Sequence, residues 1–142
     1  MNKCQLFSEN GTILAYKSEE YPLTEQDGKQ YVDIIGIRTR IFSMMKDLAP
    51  LGYGAVCISS FGEAFVLLDE KDNVLFFPML YTDPRGGEEA AFLRGTIDSG
   101  KFFAVTGTTP NAMYSMSKLL WIRNNCPELY RRADKLLLIC DY

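Results

Sequence analysis

The sequence predicts an α/β fold, a mixed β-sheet with flanking helices. Three observations carry that class. The chain has 142 residues, 47% apolar and 23% charged, a balance that supports a packed core and excludes a disordered or collagen-like chain. Its apolar residues recur at strand spacing in some stretches and at helix spacing in others. No internal repeat, low-complexity tract or linker divides it, so one domain over residues 1–142 is expected.

Taken in order, Cys4–Phe7 and Thr12–Lys17 flank Glu9-Asn10-Gly11, the turn chemistry of a β-hairpin. Tyr31, Ile34, Ile35, Ile41, Phe42, Met45 and Leu48 recur mostly three or four apart. They predict a helix from about Gly28 to Leu48, ended by Pro50 and Gly52. Ala55-Val56-Cys57-Ile58 is a continuous apolar run, which predicts a strand covered on both faces. A strand over Phe65–Leu68, a turn at Glu70-Lys71-Asp72-Asn73 and a strand over Val74–Leu80 follow. Helices are expected at Pro84–Arg94, at Ser115–Asn125 with Leu119, Leu120 and Ile122 inward, and again after Pro127. Leu136–Ile139 reads as a last strand.

Composition removes several chemistries. The net charge is -3 and no Lys/Arg run could follow a phosphate backbone, so nucleic acid is not an expected partner. With no histidine, Ser-His-Asp and Cys-His catalysis and His-ligated metals are excluded. Cys4, Cys57, Cys126 and Cys140 are scattered without a C-x-x-C pair, the pattern of free thiols in a reducing compartment rather than of a disulfide framework or zinc site. Met1–Ser8 lacks a signal-peptide pattern, and no apolar run approaches the ~20 residues that span a bilayer. A cytoplasmic protein without a membrane partner is expected.

Among the glycine-rich stretches, Gly52-Tyr53-Gly54 lacks the third glycine of a dinucleotide fingerprint and reads as a turn. Thr106-Gly107-Thr108-Thr109 has the look of a phosphate loop without its lysine. Two other loops carry more chemistry. Ser59-Ser60-Phe61-Gly62-Glu63 is expected at the carboxyl end of the apolar strand, the edge where open α/β sheets bind ligands. Tyr81-Thr82-Asp83-Pro84-Arg85 leaves the next apolar segment. Glu63 and Asp83 can accept from paired hydroxyls, Arg85 can donate, and Tyr81 can pack on the C–H face of a sugar or polyol. Asp83 before Pro84 equally suits a helix N-cap followed by proline at the first helical position.

At these residues the chain resembles the FGGY carbohydrate kinases. Phe7-x-x-Asn10-Gly11 and the strand that follows resemble the family's second and third strands. Ile58-Ser59-Ser60-Phe61-Gly62-Glu63, with Val66-Leu67-Leu68-Asp69 after it, resembles the sugar-binding segment that reads I-T-N-Q-R-E in glycerol kinases. Met79-Leu80-Tyr81-Thr82-Asp83-Pro84-Arg85 resembles the I-L-W-N-D-Q-R block. Thr106-Gly107 followed by Ser117-Lys118-Leu119-Leu120-Trp121-Ile122-Arg123 resembles the family's T-G…K-L-L-W-L-R helix.

The resemblance implies an incomplete actin-like (ribonuclease-H-like) ATPase domain, and a role as part of an ATP-dependent kinase that phosphorylates a sugar or polyol. By the same resemblance Glu63 binds substrate hydroxyls, Tyr81 replaces the tryptophan that packs on the substrate, and Asp83 and Arg85 are the acid and base of their block. Ser60 can donate to a hydroxyl. Phe61 and Gly62 replace the polar Q-R pair, which argues against glycerol. No D-x-G-T phosphate loop occurs in the 142 residues, and neither the family's catalytic aspartate nor its adenosine-binding domain is matched. ATP and Mg²⁺ are therefore expected in the parent enzyme and not on this chain alone. The alternative is a non-catalytic fragment that binds a complementary kinase fragment or associates with itself.

Overall fold

The computed structural model describes residues 1–142 and comprises two compact units, Met1–Ser59 and Ser60–Tyr142. The α/β class holds. The strands divide among three small sheets, and every pairing is antiparallel.

In the first unit, β1 (Asn2–Phe7) and β2 (Ile13–Glu19) form the expected hairpin, in register from Asn2 opposite Glu19 to Phe7 opposite Ile13. The turn works as its residues suggest. Gly11 takes φ 84°, and the Ser8 hydroxyl and Asn10 side chain both accept from the Thr12 amide. A second hairpin, β3 (Leu23–Gln26) and β4 (Lys29–Val32), occupies sequence expected to begin a helix. Its turn is Asp27-Gly28, both at positive φ, so Gly28 and Tyr31 belong to the hairpin. The helix α1 starts only at Ile34 and runs to Leu48, because the Asp33 carboxylate accepts from the Gly36 amide at 2.9 Å and caps it. Its buried positions Ile34, Ile37, Met44 and Leu48 lie on one stripe, and α1 packs on the β1–β2 hairpin. A 3-10 turn, Ala49–Leu51, closes it at Gly52, φ 73°.

Ala55–Ile58 departs from expectation. No ladder includes it, and Val56 and Ile58 are 57% and 63% exposed. An apolar run becomes a buried strand only where neighbours pair both its edges and cover both its faces, and none does so here.

In the second unit, β5 (Phe65–Leu68) is the centre of a three-stranded sheet between β6 (Val74–Phe76) and β7 (Lys135–Leu138). All four β5 residues are buried. The β5–β6 turn is built on Asp69, whose Oδ1 accepts from the amides of Lys71 and Asn73, each at 2.9 Å. β6 is shorter than expected, with Pro78 and Met79 continuing buried beyond it. Four helices follow: α2 (Gly87–Thr96), α3 (Ser99–Thr106), α4 (Ser115–Asn125) and α5 (Pro127–Arg132). α3 was not expected. It is capped by Asp98, which accepts from the Lys101 amide at 2.9 Å. Gly107 ends it at φ 69°, and the Thr106 hydroxyl bonds back to the Phe102 carbonyl. Thr106-Gly107 is thus a helix C-terminus and not a phosphate loop. The core here gathers Ala64–Leu68, Phe76, Met79, Ala90, Leu93 and Ile122.

Candidate functional site

The residues singled out in the sequence, Ser60, Glu63, Tyr81, Asp83 and Arg85, all fall in the second unit. The helix α4 organises three of them. Glu63, just before β5, reaches the start of α4, where its Oε2 accepts from the Ser115 amide at 2.9 Å and the Ser115 hydroxyl at 3.2 Å. A helix N-terminus presents unpaired amides and partial positive charge, so a carboxylate is a favourable cap there. Glu63 is half-buried.

Asp83 does not cap α2, as its place before Pro84 suggests. That helix begins four residues later, after Gly86. The Asp83 carboxylate instead folds onto its own turn. Oδ1 accepts from the Arg85 amide at 2.9 Å and from Arg85 Nε at 2.8 Å, while Oδ2 pairs with Arg85 Nη2. This two-pronged ion pair is largely out of solvent, with side chains 9% exposed for Arg85 and 12% for Asp83. Burial works to raise the Asp83 carboxyl, but the Arg85 hydrogen bonds and the nearby charges of Arg85 and Lys118 outweigh it and hold it below its ordinary value.

Two features of α4 support this turn. The Arg85 guanidinium lies 5.3 Å from the centre of the Trp121 ring, a cation–π distance. Lys118, 1% exposed, donates from Nζ to the Asp83 carbonyl at 2.9 Å. Burial lowers the Lys118 ammonium from its usual value; Asp83 opposes that shift and Arg85 adds to it. Gly86 makes the close contact possible. It sits at φ 96°, and a Cβ there would lie 3.0 Å from the Ser117 carbonyl group and 3.1 Å from the Lys118 amide.

Tyr81 and Ser60 stand apart from this network. Tyr81 is 56% exposed, and the exposed Ser60 hydroxyl reaches only its neighbour's carbonyl, at 3.4 Å. Ser115, Lys118 and Trp121 were not among the expected site residues. Lys118 and Trp121 lie in the K-L-L-W block, but their partners are more than 30 residues away and leave no mark in local spacing. The arrangement offers a carboxylate for hydroxyls, a fixed guanidinium donor and an exposed ring. No group of three or more Asp, Glu, Cys or His is placed to hold a metal ion, and no helix is long and apolar enough to cross a membrane.

The profile of the FGGY family of carbohydrate kinases, N-terminal domain, matches residues 1–142. A xylulose kinase of Escherichia coli (strain K12) is 27% identical over 150 residues, covering 99% of this chain and 30% of that protein. A rhamnulokinase of Bacteroides thetaiotaomicron is 32% identical over 123 residues, covering 84% and 25%. The gluconokinase of Bacillus subtilis (strain 168) is 25% identical, covering 99% and 28%. The crystal structure of a xylulose kinase from Rhodospirillum rubrum superposes with a TM-score of 0.84 at 25% identity, over 94% of this chain and 29% of that one. The chain therefore spans less than a third of the length of each of these relatives. Matched along its whole length, it belongs to the FGGY family of carbohydrate kinases, in the N-terminal domain of that family.

Proposed function

We propose that these 142 residues form part of the sugar-binding side of an ATP-dependent carbohydrate kinase, which moves the γ-phosphate of ATP to a sugar or polyol hydroxyl. The observation that carries the reading is the attachment of both candidate loops to one helix, Glu63 through Ser115 and Asp83-Arg85 through Lys118 and Trp121. Glu63 accepts from substrate hydroxyls through the oxygen that Ser115 does not use. Arg85, oriented by Asp83, donates to them. Tyr81 packs on the carbon face, and Ser60 adds a hydroxyl. Xylulose, gluconate and rhamnulose, which name the relatives, are the kind of substrate this reading favours, and glycerol is disfavoured because Phe61 and Gly62 stand where the glycerol-kinase segment has its polar Q-R pair.

FGGY sugar kinases use ATP and a divalent metal. The residues present do not fit either: they offer no metal-ligand cluster, and Thr106-Gly107 is a helix end. In the kinase proposed here, ATP and Mg²⁺ are held by residues outside these 142, and the enzyme is cytoplasmic. The 142-residue chain by itself is then inactive. A coupled assay of ADP release over a panel of pentoses, hexoses and polyols checks this; sugar-dependent turnover near about 1 s⁻¹, the low end for kinases, overturns it. Calorimetric titration of the same panel tests the sugar side, with Tyr81→Ala expected to weaken binding. Equal affinity in wild type and variant means that Tyr81 is not a sugar contact.

A second reading, association with a complementary kinase fragment or with another copy, is favoured by the unpaired apolar run Ala55–Ile58.

A further inference from the structure

We propose that Lys118 is a positioning residue, which from inside α4 holds the Asp83–Arg85 turn in the conformation that presents Arg85 to a sugar without touching the sugar itself. The inference rests on the sugar reading of these loops.

Lys118 shares its buried helix face with Ser117 and Ile122 and is 1% exposed. Lysine is almost never buried to that degree without a partner. Its partner is the Asp83 carbonyl, 2.9 Å from Nζ. Asp83 is thereby gripped at both ends, its carbonyl by Lys118 and its carboxylate by Arg85. One turn further along α4, Trp121 lies against the Arg85 guanidinium at 5.3 Å. Gly86 lets the turn approach the Ser117–Lys118 backbone closely enough for both contacts. One helix thus meets the turn at three places, the Asp83 carbonyl, the Arg85 guanidinium and the Gly86 backbone.

Space filling alone does not account for a lysine here. A methionine would occupy similar volume without the cost of desolvating an ammonium, a cost that burial imposes and that Asp83 only partly offsets. What the ammonium adds is a directed hydrogen bond to a main-chain oxygen, which fixes the backbone of Asp83 and, through its carboxylate, the fork of Arg85. A guanidinium fixed before ligand arrives binds hydroxyls with less loss of freedom than a mobile one.

The test uses the ¹⁵N-labelled 142-residue chain and the variant Lys118→Met, with circular dichroism as the check on folding. In wild type, Arg85 Nε–H should be dispersed and slow to exchange. In Lys118→Met it should exchange roughly tenfold faster or more, and sugar affinity over xylulose, gluconate and rhamnulose should weaken by about the same factor, the scale of one hydrogen bond to a charged group. An unchanged Arg85 signal together with unchanged affinity overturns the proposal.

If the variant does not fold, the wild-type chain decides. Sugar titration should shift the Lys118 ammonium and Arg85 signals together, although Lys118 is inaccessible to ligand. Shifts at Glu63 and Tyr81 with Lys118 unmoved overturn it. Failure of every sugar to bind wild type overturns the sugar reading instead, and Arg85 exchange in Lys118→Met still reports whether the clamp exists.

Discussion

Replacing Gly86 with alanine tests the contact on which the candidate site is built. The residue sits at φ 96°, where an L side chain costs about 1–2 kcal/mol. The added Cβ would meet the Ser117 carbonyl carbon and oxygen at 3.0 Å and the Lys118 nitrogen at 3.1 Å. All three are backbone atoms of a helix, so none can swing aside as a side-chain tip would. Forcing α4 and the turn apart adds the cost of an overpacked core, about 1–3 kcal/mol. The combined loss of roughly 2–5 kcal/mol is a large share of a domain's typical ~5–15. It should appear as a drop in Tm on the order of 10 °C in differential scanning calorimetry. Gly87 is the control. A Cβ there meets nothing within 4 Å, so Gly87→Ala should be neutral or stabilising by up to about 1 kcal/mol. A Gly86→Ala protein that melts with wild type would refute the close approach of turn and helix, and with it the support given to Arg85.

Three further outcomes are expected. Glu63→Gln removes a charge from the α4 N-terminus and should cost about 1 kcal/mol in urea denaturation, together with weaker sugar binding; loss of neither would mark Glu63 as a bystander. Asp83 has a lowered folded-state pKa, so its contribution is present above the ordinary carboxylate value near 3.8 and is lost as pH falls below it. The stability gap between wild type and Asp83→Asn should therefore narrow from pH 7 to pH 3, and a gap that widens on acidification reverses the assigned sign. Ile58→Lys should reduce any self-association seen by light scattering, because Ile58 is 63% exposed within an unpaired apolar run; unchanged particle size would place the contact elsewhere.

The elements most legible in the sequence were those whose signals are local. Asn10-Gly11 announces the first hairpin, and the apolar run Phe65–Leu68 with the Asp69–Asn73 turn announces the centre of the last sheet. Asp27-Gly28 is as good a hairpin signal, but the spacing from Tyr31 to Leu48 suggested one long helix, and Asp33 sets its start. Ala55–Ile58 shows the limit of hydrophobicity as evidence, since it reports a demand for cover and not its supply. For the site, the residue types were readable and the connections were not. Glu63 finds Ser115 across 52 positions and Lys118 finds Asp83 across 35, pairings that exist only once helix and sheet have packed.

The bond from Glu63 to Ser115 has a consequence for timing. A free glutamate side chain samples many rotamers, and restricting it on ligand binding forfeits up to ~2 kcal/mol of rotational entropy. Here both bonds fall on Oε2, which settles the carboxylate plane during folding and leaves Oε1 outside them. Whatever meets that oxygen encounters an acceptor whose direction was set when α4 formed. Fraying the first turn of α4 would return the glutamate to its rotamers, so order at Ser115 and readiness at Glu63 should rise and fall together.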